Sequence, residues 1–141
     1  MTDFLSVALA LIATGGVLVG AGLLIIWLAR RGAEGTLKRN PIAGVRTSLT
    51  LSSDEAWYSA QRAAAPRTRI AGLGAVIGGA ATAGLGLLGL SLDTTMVACA
   101  ILTLMSSVWL IAWVIAGGAA GERAARDAVG GPATGLTRPG H

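Results

Sequence analysis

Three long apolar stretches alternate with polar segments along the chain. Residues 5–29, 70–92 and 96–116 contain no charged side chain. About 20 apolar residues in a helix cross the hydrocarbon core of a bilayer, and each stretch is long enough. The second stretch is rich in glycine, which opposes helix formation in water, but in lipid the backbone has to satisfy its own hydrogen bonds. The pattern therefore predicts an all-α membrane protein with three transmembrane helices.

The first stretch has a competing interpretation as a cleaved signal peptide. Such a peptide begins with a basic segment and has an apolar core of about 7–15 residues. This chain begins Met1-Thr2-Asp3, and its first apolar stretch covers residues 5–29. We therefore expect the stretch to be retained as the first span.

The polar segment at residues 30–69 predicts a short amphipathic helix between the first and second spans. Ser52 and Glu55 have the Ser-x-x-Glu spacing of a capping box, and Pro66 is expected to end the helix. Trp57 shares one face of this helix with Ser53, Ala60, Gln61 and Ala64. The helix either lies on the membrane surface or packs on the ends of the spans, and the sequence is compatible with both.

The composition supports a membrane protein. Hydrophobic residues make up 53% of the chain and charged residues only 13%, whereas a soluble domain has about 25% charged residues. The 141 residues are enough for one domain. We predict a three-span membrane domain over residues 1–129 and a mobile tail over residues 130–141. The single cysteine, Cys99, rules out an intramolecular disulfide.

The distribution of charge predicts an orientation in the membrane. The loop over residues 30–69 has eight basic and three acidic residues, whereas the amino terminus carries only Asp3 and the second connection only Asp93. Basic residues stay on the cytoplasmic side. We expect a multi-pass protein of the plasma (inner) membrane, with the amino terminus outside and with the loop and carboxyl terminus cytoplasmic. Because orientation accounts for the net charge of +4, nucleic acid is not an expected partner.

Small residues four apart within the spans predict close helix packing. Gly16 and Gly20 have this spacing in the first span, and Gly74 and Gly78 have it in the second. Such a groove lets two helix backbones approach each other in lipid. It serves either packing within one chain or an interface with another membrane protein or a second copy, and the sequence leaves both open.

No catalytic, metal or cofactor site can be assembled from the sequence. The one histidine is His141, and Asp54 and Glu55 are adjacent, so on a helix they point about 100° apart and do not form a paired acid and base. The spans also lack the ionisable residues that mark ion and proton pathways. We therefore expect neither an enzyme nor a transporter, and no cofactor.

One polar motif stands in the predicted loop and in the helix that follows. Its residues are Asn40, Gly44, Arg46, Thr47, Glu55, Trp57 and Gln61, with Ala60 beside the last. In this order, and between the first two of three spans, they resemble the motif of the SdpI family of small bacterial membrane proteins. The resemblance implies a multi-pass, non-enzymatic protein whose motif residues contact a partner.

The resemblance also implies a function. The best-known member of the family confers immunity to a secreted toxic peptide and signals by sequestering a repressor at the membrane. We therefore expect this chain to act in envelope protection, toxin immunity or membrane signalling through its cytoplasmic loop. The alternative is a small accessory subunit of a larger membrane complex. The lipid bilayer is an expected partner in both cases, together with other membrane proteins or a homo-oligomer.

Overall fold

Three long helices account for most of the protein in a computed structural model, which describes residues 2–130. Helix α1 covers Thr2–Ala33, α2 covers Asp54–Leu85 and α3 covers Leu92–Gly130. All three are long and apolar enough to cross a membrane. For residues 2–130, the prediction of an all-α protein with three helices long and apolar enough to span a membrane is therefore confirmed.

Two connections define the ends of the bundle. The loop over residues 34–53 joins α1 to α2, and a short turn over residues 86–91 joins α2 to α3. We call these ends the loop end and the turn end. The predicted mobile tail, residues 130–141, lies outside the described residues except for Gly130, which ends α3.

Helix α2 is the centre of the bundle. Within residues 2–130, α1 packs on α2 and α2 packs on α3, whereas no Cα atom of α1 lies within 8 Å of one in α3. The outer faces of the helices expose large apolar side chains such as Val17, Ile77 and Leu104. A surface of this kind suits lipid, and the gap between α1 and α3 leaves part of α2 uncovered by protein.

Glycines allow α1 and α2 to approach closely. A Cβ added to Gly22 would lie 2.7 Å from the carbonyl oxygen of Gly72, and one added to Gly79 would lie 2.7 Å from that of Gly15. The backbones therefore touch at two positions seven residues apart on each helix. In lipid, where helices associate through van der Waals contact, such an approach is the main source of packing energy.

The glycine pairs singled out in the sequence have different environments. On α2, Gly74 faces the indole of Trp109 and Gly78 faces the hydroxyl of Ser106, so both lie at the interface with α3. On α1, a Cβ added to Gly16 or Gly20 would meet nothing within 4 Å. These two glycines face away from the other helices of the chain.

The expected short helix is not a separate element. Residues 54–65 are the first part of α2, which continues through Pro66 to Leu85. Proline removes one backbone hydrogen bond, but it does not end this helix, because the buried residues on both sides of it, Ala65 and Ala71, hold the segment against its neighbours. The predicted boundary at Pro66 was wrong.

The start of α2 also differs by one residue from the prediction. The N-cap is Ser53, whose hydroxyl oxygen accepts a hydrogen bond from the amide of Ala56 at 3.1 Å. The hydroxyl of Ser52 instead donates to the carbonyl oxygen of Leu49 at 2.6 Å. Ser53 takes the cap because Ser52 still belongs to the turn that precedes the helix.

The turn end is longer than the sequence indicated. The second span was predicted to reach residue 92, but α2 ends at Leu85, and Gly89 adopts a φ of +61° that favours glycine. The hydroxyl oxygen of Ser91 accepts a hydrogen bond from the amide of Thr94 at 3.3 Å and so caps α3. At its other end α3 continues well past the predicted limit of 116, so that its last turns reach the loop.

Candidate functional site

The indole of Trp57 anchors the first part of the loop. This side chain, in the first turn of α2, has no exposed surface. Its Nε1 donates a hydrogen bond of 2.7 Å to the carbonyl oxygen of Leu37. The large apolar ring is thereby buried while its polar atom is satisfied, which fixes residue 37 against the start of α2.

One helical turn later, Gln61 holds the middle of the loop. Its Nε2 donates to the carbonyl oxygen of Val45, and its Oε1 accepts from the amide of the same residue, both at 3.1 Å. The side chain is only 4% exposed. The Gln61 amide thus replaces the backbone partner that Val45 would have in a β-ladder, so the loop needs no strand to satisfy this residue.

Gly44 leaves the space that the Gln61 side chain occupies. Its φ of +103° is in the region that favours glycine, and an added Cβ would lie 2.6 Å from Oε1 of Gln61. Any other residue at this position would strain the backbone and push the Gln61 amide away from Val45.

Asn40 forms the turn that leads to this contact. Its Oδ1 accepts hydrogen bonds from the amides of Ile42 and Ala43 at 2.9 and 2.8 Å. Its Nδ2 donates to the carbonyl oxygen of Lys38 at 2.8 Å. These are the local bonds by which asparagine stabilises a turn, so Asn40 acts on the shape of the loop.

Thr47 and Thr50 lock the last part of the loop. The hydroxyl oxygen of Thr50, a fully buried residue, accepts from the amide of Thr47 at 2.8 Å, and the hydroxyl donates to the carbonyl oxygen of Val45 at 2.9 Å. The hydroxyl oxygen of Thr47 accepts in return from the amide of Thr50 at 3.1 Å. The two threonines close a tight turn, and all three of these hydrogen bonds lie within the loop.

The same Thr47 joins the loop to α3. Its hydroxyl donates to Oε2 of Glu122 at 2.7 Å, and Oε1 of that carboxylate lies 3.5 Å from Nη2 of Arg126. Gly121 makes room for this contact, since an added Cβ would lie 3.1 Å from the carbonyl oxygen of Ala60 and 3.2 Å from Val45. The loop is therefore held by α2 and α3 together.

Two motif residues keep their charged groups exposed. Arg46 donates from Nη1 to the carbonyl oxygen of Pro41, and its guanidinium is otherwise without a partner among residues 2–130. Glu55 is exposed on the first turn of α2 and makes no hydrogen bond or ion pair with the described residues. Arg46 and Glu55 therefore do not pair with each other.

A cleft of about 400 Å³ lies beneath the loop. It occupies the gap between α1 and α3 at the loop end, with α2 as its floor. The lining residues are Ile25, Leu28, Ala29, Gly32, Leu37, Gly44, Val45, Arg46, Thr47, Gln61, Ala64, Ala65, Thr68, Val114 and Gly118. Its walls are largely apolar, and Arg46 is the one charged residue among them.

The structure thus brings the motif together and divides its roles. Five of its residues fold the loop onto the helices: Asn40, Gly44, Thr47, Trp57 and Gln61. Arg46 and Glu55 remain exposed. Sequence reasoning missed Thr50 and also Glu122, which is 75 residues from its partner. The nearest sequence signal for Glu122 is a carboxylate directly after Gly121 at the end of an apolar run.

Comparison with known proteins agrees with this geometry. The profile of the SdpI/YfhL protein family matches residues 36–121, which include most of the loop, all of α2 and most of α3. No curated protein and no solved structure gives a significant match. The family match covers more than half of the chain and includes every residue of the loop motif. The chain therefore belongs to the SdpI/YfhL protein family.

Proposed function

We propose that this protein is a non-enzymatic membrane protein that acts in envelope protection, toxin immunity or signalling, through partner contacts of its folded loop. The observation that carries the proposal is that the residues of the family motif have two different roles. Five motif residues are used to fold the loop, while Arg46 and Glu55 keep exposed charges. A loop that is fixed in this way presents a preorganised surface, which lowers the ordering cost of binding a partner.

The proposed orientation places the loop end in the cytoplasm. The basic residues of segment 30–69 and those of the last turns of α3 lie at this end. The Arg31 guanidinium also lies 4.8 Å from the ring centroid of Trp27, so a cation and an aromatic ring meet where α1 leaves the apolar region. The basic residues at this end favour the cytoplasmic side of the plasma membrane, and the tryptophan is typical of a membrane interface.

A second candidate function is that of an accessory subunit in a larger membrane complex. Gly16 and Gly20 form a small-residue groove on α1 that is not filled by any helix within residues 2–130. A helix of another protein or of a second copy would fit such a groove. This candidate predicts stoichiometric co-purification with larger chains in mild detergent.

Deletion and rescue separate the two functions. Under the leading proposal, deletion sensitises cells to a membrane-active peptide, and Arg46→Ala or Trp57→Ala fails to rescue despite normal membrane levels. Arg138→Ala, in the predicted tail, is the matched control and should rescue. If deletion instead lowers the yield or activity of one membrane complex, and the loop variants lose only that association, the accessory-subunit function is correct.

A further inference from the structure

The cleft beneath the loop exists because two helices of the bundle do not meet. No Cα atom of α1 lies within 8 Å of one in α3, so the face of α2 between them has no helical cover. At the loop end, residues 44–47 cover this gap. The gap is open at its side, toward the medium around the helices. The result is a cleft of about 400 Å³, which is within the range of about 300–1,000 Å³ for small-ligand sites.

The walls and the mouth of the cleft differ in chemistry. Ile25, Leu28 and Val114 line its walls, and all three belong to the uncharged stretches predicted to lie in lipid. Arg46 stands where the loop closes over it. The cleft therefore runs from the apolar region of the bundle to a cation at the boundary with water.

Arg46 is the lining side chain with the most unused hydrogen-bond donors. The side chains of Gln61, Thr47 and Thr68 already bond to Val45, Glu122 and Ala64 respectively. A guanidinium has five N–H donors, and the structure engages Arg46 only at the Pro41 carbonyl oxygen. The remaining donors are available to an anion in the cleft.

Three other arginines at the loop end have acidic partners. Arg30 lies 2.9 Å from Glu34, Arg39 lies 3.3 Å from Asp54, and Arg126 pairs with Glu122. Within residues 2–130, Arg46 has no such carboxylate. The charge of the cleft is therefore uncompensated, and an anionic group would complete it.

We propose that the cleft binds one anionic phospholipid, with its phosphate on Arg46 and an acyl chain in the gap between α1 and α3. A guanidinium binds phosphate oxygens through two parallel hydrogen bonds, and the apolar walls match an acyl chain. Anionic lipids are abundant in the cytoplasmic leaflet, and basic pockets between transmembrane helices bind their headgroups. The inference requires the membrane orientation proposed above, but it does not require a role in immunity.

A whole transmembrane helix is the competing occupant, and the cleft fits it less well. A helix with its side chains is about 10–12 Å across, so it would have to lie beside the full length of the gap. The described cleft is confined to the loop end and carries its charge at one end. That distribution matches an amphiphile with one charged head.

Native mass spectrometry of the full chain tests the proposal. The protein is released from nanodiscs that contain equal amounts of phosphatidylglycerol and phosphatidylcholine, and the retained lipid is counted. We expect one phosphatidylglycerol per chain, retained in preference to phosphatidylcholine. Arg46→Gln should reduce that retention about tenfold or more, since it removes a charged hydrogen-bonding group. Arg39→Gln makes the same change of charge at a paired arginine and should retain lipid normally.

A second pair of variants tests the cleft without changing its charge. A Cβ added to Gly118 meets nothing within 4 Å, and this residue lines the cleft, so Gly118→Leu should fill the space and displace the lipid. Gly84 has equally open surroundings but lies on α2, outside the cleft, so Gly84→Leu is the matched control. Thermal unfolding of each purified variant should show that the fold is retained.

Three results would overturn the proposal. Equal retention of the two lipids, or equal retention by wild type and Arg46→Gln, would show that the headgroup is not recognised. Displacement of the lipid by millimolar inorganic phosphate would reveal a simple anion site. A dimer or a co-purifying helix that protects the cleft, with Gly118→Leu abolishing that association and no lipid bound, would assign the cleft to a protein partner.

Discussion

The side-chain amide of Gln61 pairs with both backbone polar groups of Val45, donating to the carbonyl oxygen and accepting from the amide at 3.1 Å each. A helix residue thus satisfies the backbone hydrogen bonds of a loop residue. These bonds attach the loop to α2 and join two residues that are 16 positions apart in sequence. The contact also explains the glycine that precedes Val45. The positive φ of Gly44 and the absence of its side chain leave the space that the Gln61 amide occupies.

Replacement of Gly44 should therefore loosen the loop. Gly44→Ala places a Cβ 2.6 Å from Oε1 of Gln61 and forces alanine to a φ of +103°. We expect a loss of about 1–3 kcal/mol in the free energy of unfolding, measured by thermal denaturation in detergent. Gly84→Ala, at an open helical position, is the control and should not destabilise. Equal stability of the two variants would contradict the contact.

Trp57 should protect the loop from protease. Its indole is fully buried and bonded to the Leu37 carbonyl oxygen, next to the tryptic sites at Lys38 and Arg39. Trp57→Ala should cost about 3–5 kcal/mol and speed tryptic cleavage there. Trp57→Phe keeps most of the ring but leaves the carbonyl unpaired, so an intermediate rate is expected. Unchanged cleavage in both variants would mean that the ring does not hold the loop.

The hydrogen bond between Thr47 and Glu122 should couple the loop to α3. Thr47→Val and Glu122→Ala each remove one partner, and their effects on unfolding should be non-additive by about 0.5–3 kcal/mol. Thr94→Val with Glu122→Ala is the control pair, because Thr94 lies near the turn end. Additive effects for the first pair would show that the contact does not form.

The proposed orientation has a direct test in intact cells. In a Cys99→Ala background, a cysteine at Thr94 in the turn-end segment should react with a membrane-impermeant reagent. A cysteine at Ser53, the N-cap of α2, should react only after permeabilisation. The basic residues at the loop end are the physical reason for this expectation. The opposite labelling pattern would reverse the topology.

The hydropathy pattern was sufficient to predict the three helices, because lipid allows few alternatives for an apolar stretch of that length. It could not place their ends. Pro66 ends a helix in most soluble contexts, and only the buried alanines around it show that α2 continues. The small-residue pairs likewise could not show which face packs: Gly15 and Gly22 touch α2, whereas Gly16 and Gly20 do not touch it.

The sequence was sufficient to predict which residues form the candidate site, but not how they are arranged in space. The expected face with Trp57, Ala60, Gln61 and Ala64 is buried, since helical spacing alone brings these residues together. Their partners come from the loop and from α3, at separations that periodicity does not encode. For Arg46, the turn made by Asn40 brings the Pro41 carbonyl oxygen to the guanidinium, and this local turn geometry is likewise not encoded in helical spacing.

Cysteine accessibility of the loop end tests the central claim, that the family motif folds the loop onto the bundle and leaves Arg46 exposed. Single cysteines are placed at Arg46 and at Ala60, which has no exposed surface, in protein purified in nanodiscs without Cys99. We expect rapid labelling of Arg46→Cys, and labelling of Ala60→Cys only after denaturation or in combination with Trp57→Ala. Equal, rapid labelling of both cysteines in the otherwise intact loop would show that the loop is not packed on the helices.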